Sequence, residues 1–365
     1  MTAILGCSFH GAPLLFGDVV ESIPAAIATP YVYIPSVGRV DVPPHRDSQY
    51  RISGLVQKVS IIGPNLALAW TGNVSAAKDI LQRIRDANDI QLFNWASLAR
   101  LLDQDSPSLL RGDIGLIGLL KDGANWRMFA RNVTHHEDTT HSLIWTGGTG
   151  AECLLAQIRN ARSYSASSTG GTPIHSVIAL GTSLSGALIT HEVHHLDSLR
   201  SGYGGAYEIA TIINGVCDKV QDVMYVQWFA EMSEDGLSIR SPNRVFQNSY
   251  WKDLLIVRSL TLPNGAQAQE RDEYTLIPPV FRELTADDTR DAPIPSLAAP
   301  IVSHQITFRA LDRNVYTSTR TDFANSAGFE VLETSLPNSK RKIEIHFAEQ
   351  FVTETAAEIQ RLMRG

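Results

Sequence analysis

The chain has 365 residues, of which 44% are hydrophobic and 19% charged, with 26 glycines. That is the composition of a globular protein long enough for one large or two modest domains, and it excludes disordered and fibrous chains. A net charge of -7, from 38 acidic and 31 basic residues, offers no overall attraction to phosphate backbones, so nucleic acid is not an expected partner.

Cys7, Cys153 and Cys217 are odd in number and far apart, with no CxxC pair, which predicts reduced thiols in a cytoplasmic protein. Residues 1–17 hold no Lys or Arg, against a secretory signal, and no apolar run reaches the ~20 residues of a membrane span, so no membrane is expected. The fold is therefore expected to start at the N-terminus. Aminopeptidases remove Met before a small residue, which would leave Thr2 with a free α-amine.

In chain order, residues 3–9 and 12–16 read as strands around the turn dipeptide His10-Gly11, and 22–47 is Pro-rich and irregular. KVSIIGPNLALAWTG (58–72) alternates like a strand pair broken at Gly63-Pro64-Asn65. Ala77, Ile80, Leu81 and Ile84 recur at helical spacing within 73–88, and Leu92, Trp95, Leu98 and Leu102 mark a second helix over about 92–103. Lys121-Asp122-Gly123 joins two apolar runs of 113–133 as a hairpin. A strand at 142–150 leads into a helix near 151–162. A Ser/Thr/Gly-rich loop (163–173) precedes a helix at about 174–195, and strand returns at 207–215 after SGYGG.

This grouping predicts antiparallel sheets with helices packed outside them. Residues 261–302, with six prolines from Pro263 to Pro300, read as a linker or extended arm. Residues 303–347 alternate again, and 349–363 read as a helix, so 303–365 is expected to be a small β-rich extension ending in a helix.

A Thr hydroxyl becomes a nucleophile when a base takes its proton. An N-terminal Thr supplies that base itself, because its α-amine has a pKa of ~7.7–8.0. Asp18, closing the second strand of the first hairpin, is expected beside Thr2, where it can orient the amine. The plain alternative is a common second residue and an ordinary turn aspartate.

TAILGCSFHGAPLLFGD resembles the opening of mature proteasome β-subunits and their simpler bacterial relatives, the N-terminal nucleophile hydrolases that begin at a catalytic Thr with Gly-Asp at this spacing. KVSIIGPNLALAWTGNVSAAKDIL is similar to their next signature, and TGGTG (146–150) falls where they have a Gly-rich loop with Thr146 or Thr149 as the nearest hydroxyls. Asp197, Ser201 and Gly202 resemble their Asp-x-x-Ser-Gly-Gly element with one extra residue. The resemblance covers about residues 2–230 and implies an α+β fold, an αββα four-layer sandwich over 1–260. It implies a threonine-type peptidase or amidase that needs no cofactor, acts on a peptide or protein substrate and assembles as a homo-oligomer, with a ring as its form. Thr2, Asp18, Lys58, Asp197 and Ser201 form the implied catalytic set, with backbone amides near Gly72 holding the oxyanion.

One departure concerns the cation. The family places a Lys just before the Lys-Val strand, where Gln57 or Ser53 stands here. Lys58 is one residue late, and strand alternation would turn it to the other side. Arg51 could reach the site instead. A related subunit without its full site would serve as a non-catalytic scaffold or binding module, the alternative from another class.

A second constellation is HEVHH, 191–195. On a helix, His191 and His195 lie one turn apart and could ligate zinc, with Glu192 as general base, in the manner of HExxH metalloproteases. A third ligand has no obvious candidate, since Glu208 falls in an expected strand. The competing reading is a polar helix end whose His residues favour the C-terminal dipole. HHEDTTH (135–141) reads as a solvated loop.

Overall fold

The computed structural model describes residues 2–24, 31–40, 50–104, 107–136, 144–165, 172–233, 236–261, 271–297, 299–309, 315–323, 329–335, 341–347 and isolated positions between 349 and 357. Residues 137–141 of HHEDTTH, 166–171 of the Ser/Thr/Gly-rich loop and most of 349–363 lie outside these.

The chain opens with β1 (Ile4–Phe9) and β2 (Ala12–Asp18), paired antiparallel with Ile4 opposite Gly17. His10 and Gly11 both take positive φ, 48° and 81°, the backbone that matches the twist of a two-residue hairpin. β3 (Val20–Pro24), β4 (Val32–Ile34), β5 (Gly38–Val40) and β6 (Tyr50–Leu55) follow, β3 pairing with β6 and β4 with β5. β7 (Val59–Gly63) and β8 (Leu66–Gly72) form the second hairpin. Asn73 then caps α1 (Val74–Ile90) by accepting the Ala76 N–H at 3.0 Å, and α2 (Trp95–Gln104) and α3 (Pro107–Arg111) come next. After β9 (Ile114–Asp122), β10 (Asn125–Arg131), β11 (Thr134–His136) and β12 (Ile144–Gly147) lie α4 (Ala151–Ser165), α5 (Pro173–His194) and the short α6 (Asp197–Arg200). The rest is β13 (Tyr207–Ile213), β14 (Val216–Lys219), β15 (Val223–Ser233), β16 (Gly236–Trp251), β17 (Leu254–Thr261), β18 (Arg271–Ile277), α7 (Ala286–Asp291), β19 (Ile301–Arg309), β20 (Val315–Phe323), β21 (Phe329–Ser335) and β22 (Arg341–Phe347).

A six-stranded sheet runs β11-β12-β1-β2-β13-β14, and a four-stranded sheet runs β10-β9-β8-β7. Because side chains alternate across a strand, each sheet buries two faces through one continuous apolar run. Ile4, Leu15, Val59, Ala67, Ile117 and Ala210 fill the space between the two sheets. Leu5, Leu14 and Phe16, one residue out of phase, pack against α4 and α5. On the far face of the smaller sheet, Leu68, Trp70 and Leu116 meet Ile80 and Ile84 of α1 and Leu98 of α2.

The expected αββα four-layer sandwich is not the architecture. The chain is mostly strand, in several mostly antiparallel sheets, and a second six-stranded sheet of order β18-β17-β16-β15-β19-β20 joins segments from both sides of the Pro-rich stretch. β19 pairs parallel to β15, with Val223 opposite Ile301. α5, expected on the outside, is enclosed: its apolar side chains face β2 and β13, and its small polar ones face the second large sheet. There Thr182 meets Thr321 at 3.0 Å, and Gln227 donates to Thr190 at 3.2 Å. By length and composition α5 could cross a membrane, yet 78% of its apolar window is buried inside the protein. Within 261–302, β18 pairs with β17, and a capping box at Thr285 and Asp288 opens α7.

Candidate functional site

The β1–β2 register brings residue 18 opposite residue 3. The Asp18 N–H donates to the Ala3 carbonyl at 3.0 Å, and Tyr207 of β13 lies opposite Asp18 on its other side. Both Thr2 and Asp18 are buried, Thr2 at 1% exposure. The Thr2 hydroxyl donates to Asp18 Oδ1, which also accepts the Ala3 N–H at 2.9 Å. Oδ2 accepts the amides of Gly204 at 2.9 Å and Val20 at 3.2 Å. Burial holds the Asp18 carboxyl above its ordinary range, although nearby Lys58 and these donors pull the other way.

Lys58 lies near this site, its Cβ 3.0 Å from where a Cβ on Gly17 would be, with no ion pair to Asp18 among the described residues. Its ammonium is buried, lies 4.1 Å above the Trp70 ring and interacts with Asp18, Glu21 and Glu208. Desolvation lowers its pKa to about 8, and the three carboxylates limit the drop. The expectation that alternation turns Lys58 away fails because residue 58 is not yet in a strand: β7 starts at Val59, and the bend before it frees Lys58 from strand parity. Glu208 fixes that bend, its Oε2 accepting the N–H of Lys58 at 2.6 Å and of Val59 at 3.0 Å.

Two glycine loops close around Thr2. The Gly150 N–H donates to the Thr2 carbonyl at 3.2 Å. At Gly148, φ is +86°, and a Cβ would sit 2.0 Å from the same carbonyl oxygen, so only glycine permits this approach. The Thr149 hydroxyl ties this loop to the other by donating to the Ser201 carbonyl at 2.7 Å. Thr146 faces the His136 ring instead, at 2.7 Å.

Asp197 does not enter the site as its motif implied. It opens α6 with a mostly exposed side chain and pairs with Arg200 at 3.3 Å. Ser201 contributes its carbonyl to Thr149. What this segment presents to Asp18 is the Gly204 amide. Gly72 ends β8 opposite Ile114 with a φ of +107°, and a Cβ there would sit 2.3 Å from the Asp113 carbonyl oxygen.

Glu192 is the residue that sequence reasoning misassigned. His191 and His195 do lie together, ring centroids 5.0 Å apart, on the exposed side of the end of α5. Glu192 points the other way into the interior, so it is not placed as a base beside that pair. Among the described residues no three metal-binding side chains converge. Glu192 accepts hydrogen bonds from the Ser36 hydroxyl, from Ser198 at 3.2 Å and from the Gly205 N–H at 3.0 Å. Its pKa is pushed up to about 7, first by burial, with Asp18 adding repulsion against those donors. Neighbouring amides of one turn thus hold two buried carboxylates, Asp18 through Gly204 and Glu192 through Gly205. A lone carboxylate in a helix with no other Asp, Glu, Lys or Arg from 173 to 194 was the available signal.

No protein-family model matches the chain, and no curated protein matches it.

Proposed function

We propose that the chain is an N-terminal-threonine hydrolase of peptide or amide bonds, with Thr2 as the nucleophile once Met1 is removed. The observation that carries the reading is the hydrogen bond from the Thr2 hydroxyl to buried Asp18 beside buried Lys58. The Thr2 oxygen attacks the substrate carbonyl carbon while its proton passes to the α-amine, and Lys58 supplies the adjacent positive charge. As the C–N bond breaks, that proton leaves on the amine product. Water then hydrolyses the Thr2 ester and regenerates the hydroxyl. The site calls for no metal or organic cofactor in these steps, and the substrate is a peptide or protein handled by a homo-oligomer.

A β-lactone or epoxyketone should label Thr2, located by peptide mass spectrometry, in protein whose intact mass lacks Met1. Retained Met1 together with no labelling would sink the reading. The rival, a non-catalytic scaffold or binding subunit, draws on the 1% exposure of Thr2, and it predicts no label under any condition.

Lys58→Met is expected to lower the second-order rate of labelling by roughly a hundredfold or more, since it removes the one buried cation beside Asp18 among the described residues. Stopped assays across pH 6 to 9 should show the wild-type rate rising to a plateau above about 8, where the α-amine is free. A Lys58→Met rate equal to wild type would remove Lys58 from the mechanism.

A further inference from the structure

A cavity of about 250 Å³ lies where the edge strand β7 meets β14 and the turns around 250–253 and 279–281. Three features of its wall point to a ligand. The Ser60 hydroxyl is buried and has no hydrogen-bond partner among the described residues, a state that usually costs stability unless something fills it. Tyr250 and Phe281 provide aromatic surface, with the Lys219 ammonium 4.8 Å from the Tyr250 ring centroid and the Arg85 guanidinium 5.1 Å from that of Phe281. The charges on the wall are also uneven. Asp253 is committed to Arg282 at 2.6 Å and Lys219 to Glu208 at 2.6 Å, while Arg85 and Lys252 have no carboxylate partner among the described residues. Asp218 is the remaining carboxylate, and its Oδ1 accepts the Lys219 backbone N–H at 2.8 Å.

We propose that this cavity binds a small organic anion, one carboxylate or phosphate monoester on an aromatic or apolar body. The anionic head is met by Arg85 and Lys252 at the mouth, the body lies on Tyr250 and Phe281, and Ser60 gains its missing partner. This assignment is independent of the hydrolase reading. It also has a route to Lys58, because Glu208 holds the Lys58 N–H with one oxygen and Lys219 with the other, and Lys219 lines the cavity.

Isothermal titration of the full-length protein with benzoate, phenyl phosphate, inorganic phosphate and neutral benzamide tests it. One saturable site for benzoate or phenyl phosphate is expected, with inorganic phosphate and benzamide each weaker by roughly tenfold or more, since each lacks one half of the recognition. Arg85→Gln, an exposed change that leaves the core intact, should weaken the anion by about tenfold. Absence of saturable binding, inorganic phosphate matching phenyl phosphate, or undiminished binding to Arg85→Gln would each overturn the proposal.

Discussion

Replacing Thr2 with Ala is expected to abolish hydrolysis and covalent labelling, a fall of several orders of magnitude, while the protein stays folded. The chemical loss is large because no other hydroxyl takes the place of Thr2 on Asp18 among the described residues. The structural cost is small because Asp18 keeps three backbone donors, Ala3, Val20 and Gly204. Losing the fourth costs about 1–2 kcal/mol, within the reserve of a protein with this much buried apolar surface. Thr2→Ser, which restores a hydroxyl, should recover labelling, and the pair of variants separates loss of nucleophile from loss of structure. Circular dichroism and denaturant titration check the fold, and the electrophile checks the chemistry. Full activity in Thr2→Ala, on the substrate that defines it, would hand the chain to the scaffold reading.

Much of the local structure is legible in the sequence. His10-Gly11 takes the backbone its turn dipeptide calls for, the hairpin at Lys121-Asp122-Gly123 forms between β9 and β10, and the helices at 73–88 and 92–103 appear within a few residues as α1 and α2. The approach of Asp18 to Thr2 followed from hairpin register alone.

Three things escaped that reading, each for a physical reason. Strand parity misplaces Lys58 because it has no force one residue before a strand. The enclosure of α5 was visible in its lack of a charged face, since a helix apolar nearly all round packs on all sides, but the sheet that covers it is closed by the parallel β15–β19 pairing across almost eighty positions of chain. Such a contact has no local signature. Glu192 was hidden by a motif match: HExxH specifies spacing, and spacing cannot say which side of the helix faces the core.

The buried Glu192 carboxyl should make the protein less stable as pH rises, and Glu192→Gln should remove that dependence. In the folded state its pKa is about 7 against an ordinary value of 4.5, because burial on α5 and the charge of Asp18 disfavour the anion more than Ser36, Ser198 and the Gly205 amide favour it. Between those values the folded protein keeps a proton that the unfolded chain releases. The contribution of Glu192 to stability is therefore greatest below pH 4.5, declines through the window and levels off above about 7. A displacement of that size corresponds to about 3 kcal/mol. Gln is neutral at every pH, and its carbonyl can take the Gly205 N–H while its amide donates to a serine hydroxyl. The variant should thus match the wild type near pH 4 and exceed it by about 3 kcal/mol at pH 8 in denaturant titrations. Asp18, whose pKa is also raised, is present in both proteins, and its repulsion with Glu192 is part of the difference that the comparison reads. The comparison bears on the site as well, because the Gly204–Gly205 turn gripped by Glu192 delivers an amide to Asp18. If charge on Glu192 strains that turn, Gln at 192 should also flatten the pH profile of Thr2 labelling below 7. A wild-type minus variant stability difference that stays constant from pH 5 to 8 would show that Glu192 does not titrate in this range.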